Sequence, residues 1–137
     1  MRFEDLDNFE VGYASAIIGW QGFWPEDDLE EFAKWQEVDS TSFGPLAIQR
    51  IHRDCATFRS LKVSGTSVAD LLAQAQFHDY DEFNAGWDLW LSRQRCGVSY
   101  GDRNLDQIGE ALDTAAEQLG ETYVELGDDN CIHFGNE

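Results

Sequence analysis

Residues 87–101, "WDLWLSRQRCGVSYG", decide how this chain is read. Trp87, Leu89 and Leu91 alternate with Asp88, Trp90 and Ser92. A two-residue period puts successive side chains on opposite faces, the mark of a half-covered strand. The stretch therefore reads as a strand, a turn near Arg95 to Gly97, and a returning strand in "CGVSYG". Trp90 then falls on the sheet face opposite Trp87, where it is an expected exposed contact residue.

Working outward, a helix is expected from about Leu105 to Leu119, stopped by Gly120. "ETYVEL", the turn Gly127-Asp128-Asp129-Asn130, and "CIHF" read as a second hairpin. Four helices precede the first hairpin. The first spans about Asn8 to Trp20, with Asp7 and Glu10 spaced as a capping box. The second starts at Pro25, with Leu29, Phe32 and Ala33 inward. The third runs from Pro45 to Leu61 on the stripe Ile48, Ile51, Cys55 and Phe58. The fourth covers Ser67 to Gln76. No internal repeat stands out, and no Pro/Gly/Ser linker divides the chain. The expectation is one α+β domain over residues 1–137: four N-terminal helices, then hairpin, helix and hairpin. Its sheet would be four-stranded and mainly antiparallel, with the helices packed on one face.

Composition bounds function more by exclusion. Nine Phe, five Trp and four Tyr supply a core and argue against disorder. The acidic opening "MRFEDLDNFE" is unlike a secretory signal, and no apolar run is long enough for a membrane span. A cytoplasmic protein is expected. Cys55, Cys96 and Cys131 are too few, and odd in number, for a disulfide framework. The net charge is −18. It is laid out as −9 over residues 1–39, +3 over 40–69 and −12 over 70–137. Such a field repels nucleic acid and anionic membrane and attracts basic surfaces.

Two acidic features follow. Asp106, Glu110, Asp113 and Glu117 are spaced four, three and four apart, which stacks them on one side of the fifth helix. Ile108, Leu112, Ala115 and Leu119 take the other side, and no Lys or Arg lies within the helix. Like charges at this spacing repel, by a few tenths of a kcal/mol per pair. Their pitch of roughly 4.5–6 Å is of the same order as the ~3.4 Å phosphate step of a duplex strand. The second feature is "PEDDLEEF", residues 25–32, with Glu26, Asp27, Asp28, Glu30 and Glu31. The first three sit where a helix start welcomes acids anyway. Salt adaptation would also yield an acidic, lysine-poor chain, although the aromatic content speaks against it.

Sites for chemistry are thin. His52 with Cys55, and Cys131 with His133, could be imagined as a zinc set, but the spacing matches no common finger. "GDDN" lacks the register of a calcium loop. No phosphate-binding glycine loop and no nucleophile elbow occurs. No metal and no cofactor are expected.

Residues 85–129, "AGWDLWLSRQRCGVSYGDRNLDQIGEALDTAAEQLGETYVELGDD", resemble a group of small acidic proteins encoded by phages and other mobile elements. The shared pattern is Asp-aromatic/Leu-Trp-Leu-Ser/Thr-Arg, a Gly-containing return with Asp-Arg, an amphipathic helix, then Gly-Glu and Gly-Asp-Asp. "FEVGYASAIIGW" and "RDCATF" match that group's opening helix and its Asp-Cys-x-x-Phe segment. The group's return strand carries His, and "QRCGVSYGDR" does not. The resemblance implies an inhibitor of host defence, of the anti-CRISPR or anti-restriction kind. Combined with the charge, the expectation is a non-enzymatic DNA mimic. It would occupy a basic nucleic-acid groove of a host defence complex and bind no nucleic acid itself. Two alternatives stand beside it. One is a shape-based inhibitor or adaptor using an aromatic patch at Trp90 and Tyr100. The other is a small enzyme using His52 or His133.

Overall fold

Asp7 starts the first helix as its spacing suggests. Its Oδ1 accepts from the Glu10 amide, and the Asp7 amide donates to Glu10 Oε1, both at 2.9 Å. This reciprocal cap satisfies two otherwise unpaired amides, and α1 follows over Asn8–Gln21. The computed structural model describes residues 1–21 and 29–135. Helix α2 is Leu29–Gln36, and its expected start at Pro25 lies outside the described residues. Helix α3, Pro45–Ser60, places proline in its first turn, where the missing N–H costs nothing. A small hairpin, β1 (Lys62–Val63) and β2 (Thr66–Ser67), leads into α4, Val68–Ala75. Ser67 Oγ accepts from the Asp70 amide and caps that helix. Helix α5 is Glu82–Arg93 and α6 is Gln107–Leu119. Strands β3 (Val124–Leu126) and β4 (Ile132–Phe134) close the chain as an antiparallel pair, Glu125 opposite His133.

The architecture is therefore mainly helical. Among the described residues there are six α-helices and two separate two-stranded hairpins. The expected α+β fold, with a four-stranded sheet carrying helices on one face, is overturned. The error lies in residues 87–101. "WDLWLSR" is the body of α5, and "CGVSYG" forms no strand. The turn near Arg95 to Gly97 exists, with φ of 54° and 90° at those two residues, but it ends a helix. The apparent alternation had a different cause. Asp88, Trp90 and Ser92 are as buried as Leu89 and Leu91, so no solvent face is present. Helix α5 is a central helix, buried on almost every side, and its polar residues are held by internal partners. Its start was signalled by Asp81, which accepts from the Asn84 amide at 2.8 Å.

Helix α1 packs along α5 in the most extensive contact of the fold. "DNFEVGY" at 7–13 and "DEFNAGW" at 81–87 share the pattern D-x-F-x-x-G-aromatic. The contact is reciprocal. A Cβ on Gly12 would overlap the Phe83 carbonyl oxygen, and one on Gly86 would overlap that of Phe9. Residue numbers in the two contacts run in opposite senses, so the helices are antiparallel and related by a local two-fold. Glycine is required there because backbone meets backbone. A short repeat is thus present after all, although nothing in its surroundings resembles a repeat.

The core around this pair holds Phe9, Tyr13, Ile17, Ile51, Phe58, Leu89, Trp90, Tyr100 and Leu112, all at 0% exposure. Phe58 stacks on Tyr100 at 6.0 Å, and Tyr13 meets Trp90 edge-on at 5.5 Å. Helix α2 departs from its expected orientation. Leu29 is 80% exposed, Phe32 and Ala33 are exposed, and Trp35 is the residue turned inward.

Candidate interaction surface

The four carboxylates of α6 do not form one row. Asp106 precedes the helix at its N-cap position and is exposed, as are Glu110 and Glu117. Asp113 is turned inward and saturated. Its Oδ1 accepts from Ser92 Oγ at 2.8 Å and the Tyr100 amide at 3.0 Å. Its Oδ2 accepts from Ser99 Oγ and the Gly101 amide, both at 2.9 Å. This carboxylate therefore locks the 99–101 turn onto α5 and α6 and is unavailable to a partner. Asp113→Asn should lose about 2–3 kcal/mol, because the amide nitrogen would face donors that need an acceptor. Glu117→Gln should stay within about 0.5 kcal/mol of the parent. Urea unfolding of the two variants side by side makes the comparison.

Of the second acidic cluster, Glu30 is exposed and Glu31 is half-buried, accepting from Trp35 Nε1 at 3.2 Å. Glu26, Asp27 and Asp28 lie outside the described residues. Trp90 is not a surface residue. It is 0% exposed, because α5 is central, and its indole N–H has no acceptor among the described residues. Tyr100 is equally buried, its hydroxyl donating to the Ala85 carbonyl at 2.6 Å. The aromatic patch placed at Trp90 and Tyr100 is therefore corrected. Before and along α5, Phe77 is 90% and Phe83 38% exposed, with Trp87 half-buried and stacked on Phe83 at 6.4 Å; Phe32 and Tyr123 are exposed elsewhere.

The arginines explain where the surface charge comes from. At the centre, Asp54 Oδ2 receives Arg50 Nε at 2.9 Å and Arg93 Nη1 at 3.1 Å. Arg93 also donates to the Tyr13 hydroxyl and the Gly120 carbonyl. Arg50 lies over the Phe134 ring and reaches Thr122 Oγ1. Burial pushes the Tyr13 hydroxyl well above the usual phenol range, with Arg93 opposing the shift. Nearby, Asp88 takes Arg103 through both oxygens, at 2.9 and 2.8 Å, and the Tyr80 hydroxyl donates to it. Burial first, then the Asp88 charge, raises the Tyr80 hydroxyl. Arg59 bonds Asp7 at 2.9 Å, Arg95 lies 3.4 Å from Glu121, and Arg53 lies 3.8 Å from Asp54. Six of the seven arginines are thus committed to a handful of carboxylates. Asp106, Glu110 and Glu117 form no ion pair among the described residues.

Two of the three histidines are similarly engaged. His52 Nδ1 is 2.6 Å from the buried Glu10 Oε2, and His133 is 3.1 Å from Asp129. Cys55 is fully buried, and its thiol is held well above the usual range mainly by that burial. Among the described residues no group of three or more His, Cys, Asp or Glu side chains is placed to hold a metal ion. No helix among them is long and apolar enough to cross a membrane.

The chain matches no protein-family model, and no curated protein or solved structure matches it significantly.

Proposed function

We propose that the protein acts by binding and not by catalysis, and that its partner is a basic, nucleic-acid-binding protein of the kind a host defence complex presents. The protein would occupy the partner's nucleic-acid groove as a DNA mimic. The observation that carries this reading is the allocation of charge. Arginine is spent on buried or local carboxylates, and the outer face of α6 keeps Asp106, Glu110 and Glu117 exposed. The face is narrower than four in-line acids, since Asp113 is half-buried and bonded through both oxygens. Glu30 on α2 is a further exposed acid. With a net charge of −18, long-range attraction would speed encounter and weaken with salt.

The test is DNA binding by a CRISPR effector or a restriction nuclease, titrated with this protein at about 50 and about 200 mM salt. Displacement of DNA is expected at low salt and should fade at high salt. The variant Glu110→Lys/Glu117→Lys should displace DNA at least about tenfold less well at low salt while unfolding like the parent. Equal displacement by that variant would remove α6 from the interface.

A further inference from the structure

The two D-x-F corners of the α1/α5 pair are built alike, and among the described residues only one is filled from within. At α1, Asp7 Oδ1 caps the helix and Oδ2 receives Arg59 Nη1 at 2.9 Å. The same guanidinium lies over the Phe9 ring, 4.8 Å from its centre. At α5, Asp81 Oδ1 caps the helix in the same way. No described residue brings a guanidinium to Asp81 or over Phe83. Phe83 is left 38% exposed where Phe9 is 0%.

That corner opens on a groove of about 510 Å³ lined by Asp79, Tyr80, Asp81, Glu82 and Phe83. Among the described residues no Lys or Arg lines it. A second groove of about 490 Å³ adjoins it, sharing Asp79, Tyr80 and Phe83 and extending to Trp87. His78 also lines it, and its one arginine, Arg103, is already bonded through two nitrogens to Asp88. Phe77, 90% exposed, lies in the chain between Gln76, which lines the first groove, and His78, which lines the second. Three carboxylates, a ring face and an exposed apolar rim are complementary to a guanidinium carried on an apolar segment. A planar guanidinium can stack on the ring and bond a carboxylate at once, which an ammonium cannot do as well.

We propose that the α5 corner docks an arginine-bearing segment of a partner protein, with its guanidinium held by Phe83 and Asp81 as Arg59 is held by Phe9 and Asp7. Apolar neighbours of that arginine cover Phe77 and Trp87. The site is separate from the α6 face and stands whether or not that face binds a nucleic-acid groove.

The test titrates the isotope-labelled full chain with the peptide acetyl-Leu-Arg-Leu-amide and follows amide shifts. Saturable shifts confined to residues 76–87 are expected. The neutral isostere with citrulline in place of arginine should need at least about tenfold more peptide. Asp79→Asn/Asp81→Asn keeps both backbone roles, since asparagine caps helices and tolerates positive φ, and should weaken the arginine peptide to a similar degree. Shifts of equal strength with citrulline would overturn the proposal, as would shifts centred on α6. So would sedimentation showing that a second copy of the chain covers the groove at the titration concentration. If the double variant does not fold, the citrulline comparison on the parent decides alone.

Discussion

Replacing Gly86 with alanine is expected to cost about 3 kcal/mol or more, at or beyond the upper end of the usual range for overpacked interiors. The added Cβ would overlap the Phe9 carbonyl oxygen and lie 2.8 Å from its carbon. These are backbone atoms inside a capped helix, so no side-chain rotation relieves the clash. Alanine's better helix propensity returns only about 1 kcal/mol. Gly12→Ala meets the Phe83 carbonyl in the same manner and should behave alike. The double variant carries the more telling result. A single widening of the α1/α5 spacing relieves both clashes, so the two losses should sum to more than the double variant loses. Chemical unfolding of the four proteins tests this. A Gly86→Ala protein within 1 kcal/mol of the parent would mean that the helices do not meet backbone to backbone.

The second large effect concerns the central carboxylate. Asp54→Ala leaves Arg50 and Arg93 in the core with no anion between them, and both are more than nine-tenths buried. Removing one member of a buried ionic group costs about 3–5 kcal/mol. A compensating change should recover part of this. Arg50 Nη1 is buried without a hydrogen-bond partner among the described residues, so its guanidinium is imperfectly satisfied even in the parent. Arg50→Met/Asp54→Ala should therefore be more stable than Asp54→Ala alone, with the methionine filling space against Phe134. Thermal denaturation ranks the three proteins. A double variant weaker than the single would show that Arg50 stabilises by packing and not by charge.

Helices α1, α3, α4 and α6 were legible because their signals are local. Asp7 with Glu10, Pro45 at a first turn, Ser67 ahead of Val68 and Gly120 after Leu119 each mark a boundary the structure keeps. Helix α5 was misread because periodicity assumes that polar residues face water. Asp88, Ser92 and Arg93 are buried with partners 15, 21 and 39 residues away in the chain, a distance no local pattern encodes. The same limit explains Asp113. Its spacing matched its exposed neighbours, but the 99–101 turn and Ser92 of α5, arriving from outside the helix, draw it inward. Trp90 followed from the strand reading and fell with it. The D-x-F-x-x-G echo was present in the letters, yet two short matches about 70 residues apart gain meaning only when the glycines are seen to face each other.

That pairing also dictates the order in which the molecule can be completed. Helix α1 is finished by Gln21, but the helix that meets the backbone of Phe9 and Gly12 is not translated until α5 has emerged. A nascent chain halted before Glu82 lacks the helix that the Phe9 and Gly12 backbone packs against. Docking α5 there is a late, long-range closure, so folding should be slow for a protein this rich in helix.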